Sequence, residues 1–67
     1  MNKDILSGQW KQVKGQIKQN WGELSDNDID KIDGNYDQLI GTIQEKYGHE
    51  KEKTKNAVDD FFKKLSS

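Results

Sequence analysis

Leu6, Trp10, Val13, Ile17, Trp21 and Leu24 recur at steps of four, three, four, four and three residues. At about 100° per residue this spacing keeps them in one apolar stripe and predicts a first helix over residues 5–21. Gly22 stands where a helix C′ residue takes the left-handed conformation. Ser25 then offers an N-cap, and Asp26 and Asp28 fall in the first turn of a following helix, where carboxylates are favoured. That short second helix carries Ile29 and Ile32 and runs to Asp33, and Asp33-Gly34-Asn35 signals a turn. Tyr36, Leu39, Ile40, Ile43 and Tyr47 form a second stripe and predict a third helix, closed by Gly48. From about Glu50 a fourth helix is expected to turn Val58, Phe61, Phe62 and Leu65 inward. No strand is expected.

The two long stripes are related. All six glycines form two triplets with the same internal spacing, Gly8, Gly15, Gly22 and Gly34, Gly41, Gly48, offset by 26 residues. Under that offset Leu6 matches Ile32, Trp10 matches Tyr36, Val13 matches Leu39, Ile17 matches Ile43 and Trp21 matches Tyr47. The charges do not follow, since Lys11, Lys14 and Lys18 face Asp37, Ile40 and Gln44. The duplication therefore describes a fold and not a catalytic site. It predicts an all-α protein, a small bundle of about four helices in which two α-hairpins pool apolar faces that neither could bury alone, forming a single domain over residues 1–67. Gly8 and Gly34 read as helix starts, Gly22 and Gly48 as caps. Gly15 and Gly41 are mid-helix, each costing about 1 kcal/mol relative to alanine. A close approach by a neighbouring helix, or simple tolerance of low stability, is one explanation. A bare backbone that docks a partner, or keeps the helices loose, is the other.

Length and composition narrow the class. A domain of 67 residues buries only about 60% of its unfolded surface, so the core must be small. Cysteine is absent and no metal-ligand cluster is visible, which removes the usual staples of small domains and suits a reducing cytosol. No apolar run exceeds two residues, as in Leu39-Ile40 and Phe61-Phe62, so neither a secretion signal nor a membrane span is expected. Eleven cationic residues nearly balance twelve acids for a net charge of −1, and all eleven are lysine. Without arginine the side chain best suited to bidentate phosphate or guanine recognition is missing, which counts against nucleic-acid readout.

Three strings carry a family resemblance: Gly8-Gln9-Trp10-Lys11-Gln12-Val13-Lys14-Gly15, Trp21-Gly22-Glu23-Leu24-Ser25-Asp26-Asn27-Asp28, and Asp37 through Gly48. Together they resemble the CsbD-like bacterial stress proteins over roughly residues 1–60. The resemblance implies a cytoplasmic bacterial protein of the general stress response, with a small all-α fold and no enzyme activity. It supplies no catalytic residues, and the tail from Phe61 to Leu65 follows no pattern of that family.

A search for chemistry returns little. His49, the only histidine, reads as an exposed side chain after Gly48, and no serine has a base or a nucleophile-elbow context. Asp26-Asn27-Asp28-Ile29-Asp30 imitates the opening of a calcium loop, but the turn glycine is replaced by Lys31 and the bidentate glutamate by Asp37. The plausible polyanion-binding patch is the strip of Lys11, Lys14 and Lys18, on a segment from Ile5 to Gly22 that contains no acid. Three lysines make few phosphate contacts, so binding at physiological salt should be weak. No cofactor or metal is implied, no membrane partner is expected, and the chain is expected to be a monomer unless Trp10, Trp21 or Phe61-Phe62 remains exposed. Two functions stay open: a hydrophilic, non-enzymatic stress protein acting as a protectant or weak interaction module, in line with a mean hydropathy of −1.17, and a small nucleic-acid-binding module using the lysine strip.

Overall fold

The computed structural model describes residues 3–66, with side chains from 4 to 65. Five helices follow one another: α1 (Lys3–Gly8), α2 (Trp10–Asn20), α3 (Asp26–Ile32), α4 (Tyr36–Tyr47) and α5 (Lys51–Ser66). No strand occurs among the described residues. The protein is a small all-α bundle with α4 at its centre, lying close against α5, α3 and α1, while α1 lies against α2.

The expected first helix over residues 5–21 is interrupted at Gln9. There φ and ψ are −120° and 31°, outside the helical well, and no side chain caps the new start. The Gln9 N–H still donates to the Ile5 carbonyl at 2.9 Å, and the Gln9 carbonyl accepts from Gln12 and Val13 at 3.0 and 2.9 Å. One helix thus ends and the next begins about a single residue. The bend accompanies a close approach: a Cβ added to Gly34 would lie 3.3 Å from the Leu6 carbonyl oxygen and 3.3 Å from the Ser7 Cα. Gly34 is therefore not the helix start read from its position. It occupies the α3–α4 turn at φ +78°, preceded by Asp33 at φ 44°, and glycine is the residue that tolerates both that dihedral and that contact. Gly8 is likewise the last residue of α1 and not the first of a helix.

The caps divide between expectation and correction. Ser25 forms a full capping box: its hydroxyl accepts from the Asp28 N–H while the Asp28 carboxylate accepts from the Ser25 N–H. Gly48 ends α4 in the left-handed conformation, as expected, and Asn35, read only as part of a turn, caps its start by accepting from the Gln38 N–H. Gly22 does not behave as its counterpart does. Helix α2 ends at Asn20, Trp21 takes the C-cap position at φ −120° and ψ 78°, and positive φ among glycines is confined to Gly34 and Gly48.

Thirteen apolar side chains form one core: Leu6, Val13, Ile17, Trp21, Leu24 and Ile29 from the first part, then Ile32, Leu39, Ile40, Ile43, Val58, Phe61 and Phe62. Ile5, Trp10, Tyr36 and Tyr47 pack against its edge. Trp21 meets Phe61 with ring centroids 5.1 Å apart, and Phe61 meets Phe62 edge-on at 5.3 Å, a chain of tilted aromatics that joins α5 to the end of α2. Thr54 is also buried, its hydroxyl satisfied by the Glu50 carbonyl at 2.9 Å. Leu65, expected inward, is 39% exposed, on the rim of open grooves that it shares with Ile5, Val13 and Phe61.

Candidate functional site

The lysine strip lies along α2, where Lys11, Lys14 and Lys18 are all exposed. Helix geometry places the three on one flank because their spacing is three and four residues. What the sequence did not reveal is the neighbour. The start of α3 comes alongside the end of α2, and the Lys18 ammonium pairs with the Asp26 carboxylate across the corner. Both side chains remain well exposed, so the pair is worth at most about 1 kcal/mol in stability. It nevertheless sets a negative charge against the positive one at that end of the strip. A shallow groove of about 260 Å³ beside it is lined by Lys14, Gly15, Lys18, Asp26, Ile29 and Asp30, two cations facing two anions. Lys11 lies outside that groove, whereas Lys14 shares it with Asp26 and Asp30.

The acidic run that imitates a calcium loop is engaged elsewhere. One Asp28 carboxylate oxygen accepts from the Ser25 N–H and the Ser25 hydroxyl, both at 3.0 Å, and meets the Lys46 ammonium at 3.2 Å. The Ser25 N–H holds this carboxyl below its ordinary range against the opposing effect of burial, with smaller lowering contributions from Lys46 and the Ser25 hydroxyl. Asp26 is turned toward Lys18. The acids of α3 thus cap a helix and tie it to α2 and α4, and no group of three or more metal-ligating side chains converges among the described residues.

His49 lies parallel to the Tyr47 ring, centroids 6.0 Å apart, on an exposed corner. The Ser7 hydroxyl donates to the Asp4 carbonyl at 3.4 Å, and Ser25 is committed to its cap. Ser67 lies outside the described residues. Tyr36, half-buried at the core edge, has its phenol pushed above the usual value by burial and then by Asp59 and Asp37.

One residue carries more than its sequence position suggested. The Tyr47 hydroxyl accepts the Glu23 N–H at 3.1 Å, so the aromatic that ends α4 fastens the corner between α2 and α3. With the Lys46–Asp28 pair it ties the last turn of α4 to that corner twice. The signal lay in the sequence match of Tyr47 to Trp21 at an offset of 26 residues, where Tyr47 carries a hydroxyl that Trp21 lacks.

Comparison with known proteins gives one family. The CsbD-like family model matches residues 4–56. No curated protein and no solved structure matches the chain.

Proposed function

Because the chain belongs to the CsbD-like family, we propose that it serves the general stress response without catalysis, as a cytoplasmic bacterial protein whose hydrophilic surface and abundance make it a protectant or weak interaction module. The family is associated with general stress response. The observation that carries the reading is the fate of the apolar groups. Thirteen enter the core and four more pack on its edge, so among the large apolar side chains described only Leu65 is exposed. Most of the other exposed side chains are lysine, carboxylate or amide. Such a surface holds water and solutes in place of sealing a reaction from them, and its grooves are open.

Protection of a labile enzyme through drying or freezing tests the proposal. The protein should preserve more activity than an inert globular protein at equal mass; equal or lower preservation refutes it. A second reading, a small nucleic-acid-binding module, draws on the exposure of Lys11 and Lys14 and on the acid-free segment from Ile5 to Gly22. It requires a gel shift that weakens steeply with salt and is lost in Lys11→Glu/Lys14→Glu/Lys18→Glu.

A further inference from the structure

Asp33 is the one Asp or Asn of the chain that precedes glycine. In such a pair the backbone nitrogen of the second residue can attack the side-chain carboxyl of the first, because the glycine has no Cβ to shield its nitrogen. Asp33 is exposed, so its carboxyl is open to water and protons, whereas Gly34 is buried. The step needs no co-reactant. The Gly34 nitrogen attacks Cγ of the neutral carboxyl and a C–N bond forms. The C–O bond to the hydroxyl breaks, and that hydroxyl leaves as water with the proton given up by the nitrogen. Water then reopens the five-membered imide. Cleavage of the new bond restores Asp33. Cleavage of the original peptide bond leaves an isoaspartyl residue of unchanged mass, with the main chain rerouted through Cβ and Cγ and a carboxylate on Cα.

The native turn keeps these atoms apart. Asp33 lies at φ 44° and ψ 43°. At that ψ the Gly34 nitrogen is nearly anti to the Asp33 Cβ across the Cα–C bond, whereas a planar five-membered ring needs the two eclipsed. The rotation between them is nearly half a turn, and the surroundings oppose it. The Asp33 N–H donates to the Ile29 carbonyl at 3.3 Å, and the Asn35 N–H donates to the Ile32 carbonyl at 2.8 Å. Gly34 lies so close under α1 that an added Cβ would be 3.3 Å from the Leu6 carbonyl oxygen and from the Ser7 Cα. We infer that Asp33–Gly34 is a self-modification site that the native turn holds shut and that reacts when the α3–α4 turn comes away from α1. Local openings of this kind precede unfolding of the whole chain. The product does not fit the turn it came from. An isoaspartyl residue adds one main-chain atom between Ile32 and Gly34, which shifts both the contact with α1 and the Asn35 cap of α4 out of register. A chain opened for long is thereby marked covalently. This inference stands apart from the protectant reading, since it concerns the fate of an opened chain and not what the folded one protects.

The test incubates the full chain at mildly acidic pH in buffer and in guanidinium chloride, with a peptide of residues 30–37 in each solvent to give the rate without a fold. Trypsin then releases residues 32–46, and chromatography separates the isoaspartyl from the aspartyl form at equal mass. In denaturant the chain should match the peptide. In buffer it should lag the peptide about tenfold or more, tenfold being the ratio for an opening that costs about 1.4 kcal/mol. Asp33→Glu, whose longer side chain would have to close a six-membered ring, should give no second form even in denaturant. The isolated isoaspartyl chain should unfold at a lower denaturant concentration than the unmodified one. Equal rates for chain and peptide in buffer overturn the gating by the turn. A second form missing from the denatured wild-type chain, or present in denatured Asp33→Glu, overturns the site. An isoaspartyl chain as stable as the unmodified one overturns the misfit of the product.

Discussion

Replacing Gly15 and Gly41 by alanine separates two meanings of an interior glycine. Each lies within a helix, and neither is among the residues with positive φ. A Cβ at either position meets no atom within 4 Å, so the close helix approach that the sequence allowed is absent at both. The substitution therefore adds helix propensity without strain, worth about 1 kcal/mol per site. The two sites share no partner and should add, giving about 2 kcal/mol for the double variant. For a chain of 67 residues, an unfolding entropy of about 2.1 cal/mol/K per residue makes 1 kcal/mol equal to about 7 °C in Tm. Calorimetry should accordingly show a rise of about 7 °C for each single variant and about 14 °C for both. A Tm that stays level or falls in either single variant refutes the claim that open space surrounds these positions. The double variant then serves as a functional probe, because unchanged protection of a dried enzyme at a higher Tm removes any role for glycine-derived looseness.

Gly34 should respond in the opposite sense. Its φ of +78° and the 3.3 Å approach to the α1 backbone make Gly34→Ala destabilising by about 1–3 kcal/mol, seen as a lower urea midpoint; a neutral result would refute the close approach. Tyr47→Phe leaves the ring in place but removes the acceptor for the Glu23 N–H, at a cost of about 0.5–1.5 kcal/mol by the same measurement. Asp28 sets an acid limb. Its folded-state carboxyl lies below the unfolded value of about 3.9, so its contribution is present above that value and is lost as pH falls through the folded one. Urea midpoints followed downward from neutral pH should fall less steeply in Asp28→Asn than in the unaltered chain, and parallel curves would show that Asp28 is not the group responsible.

The elements that could be read in the sequence are those set by local physics. Ser25 and Gly48 cap helices by interactions within a few residues, and the apolar stripes mark buried faces by periodicity alone, whereas Asn35 read only as part of a turn. The break at Gln9 was hidden because the stripe continues through it, and what accompanies the break is the approach of Gly34, a residue 25 positions further along. The Gly22 error has a related origin. Gly22 and Gly48 occupy matched places in their triplets, but Gly48 closes α4 alone, whereas Gly22 follows a buried Trp21 whose ring is fixed against Phe61. The lysine strip was visible as a pattern, yet Asp26 reaches Lys18 only because the corner folds α3 back beside α2. Spacing states which side chains share a helix face; it does not state which element the face will meet.

The position of the tail bears on where function can reside. The family model ends at residue 56, but Val58, Phe61 and Phe62 beyond it complete the core, with Phe62 only 1% exposed. The tail is thus spent on closing the fold, and the Phe61-Phe62 pair offers no ready apolar surface for association. Trp21 is buried and Trp10 is half-buried at the core edge, so the tryptophans offer little more. Much of the described surface carries lysines, carboxylates and amides, whose contacts are individually weak. Weak polar contacts become consequential when the protein is abundant and water is scarce, the circumstance in which the protectant reading predicts a measurable effect.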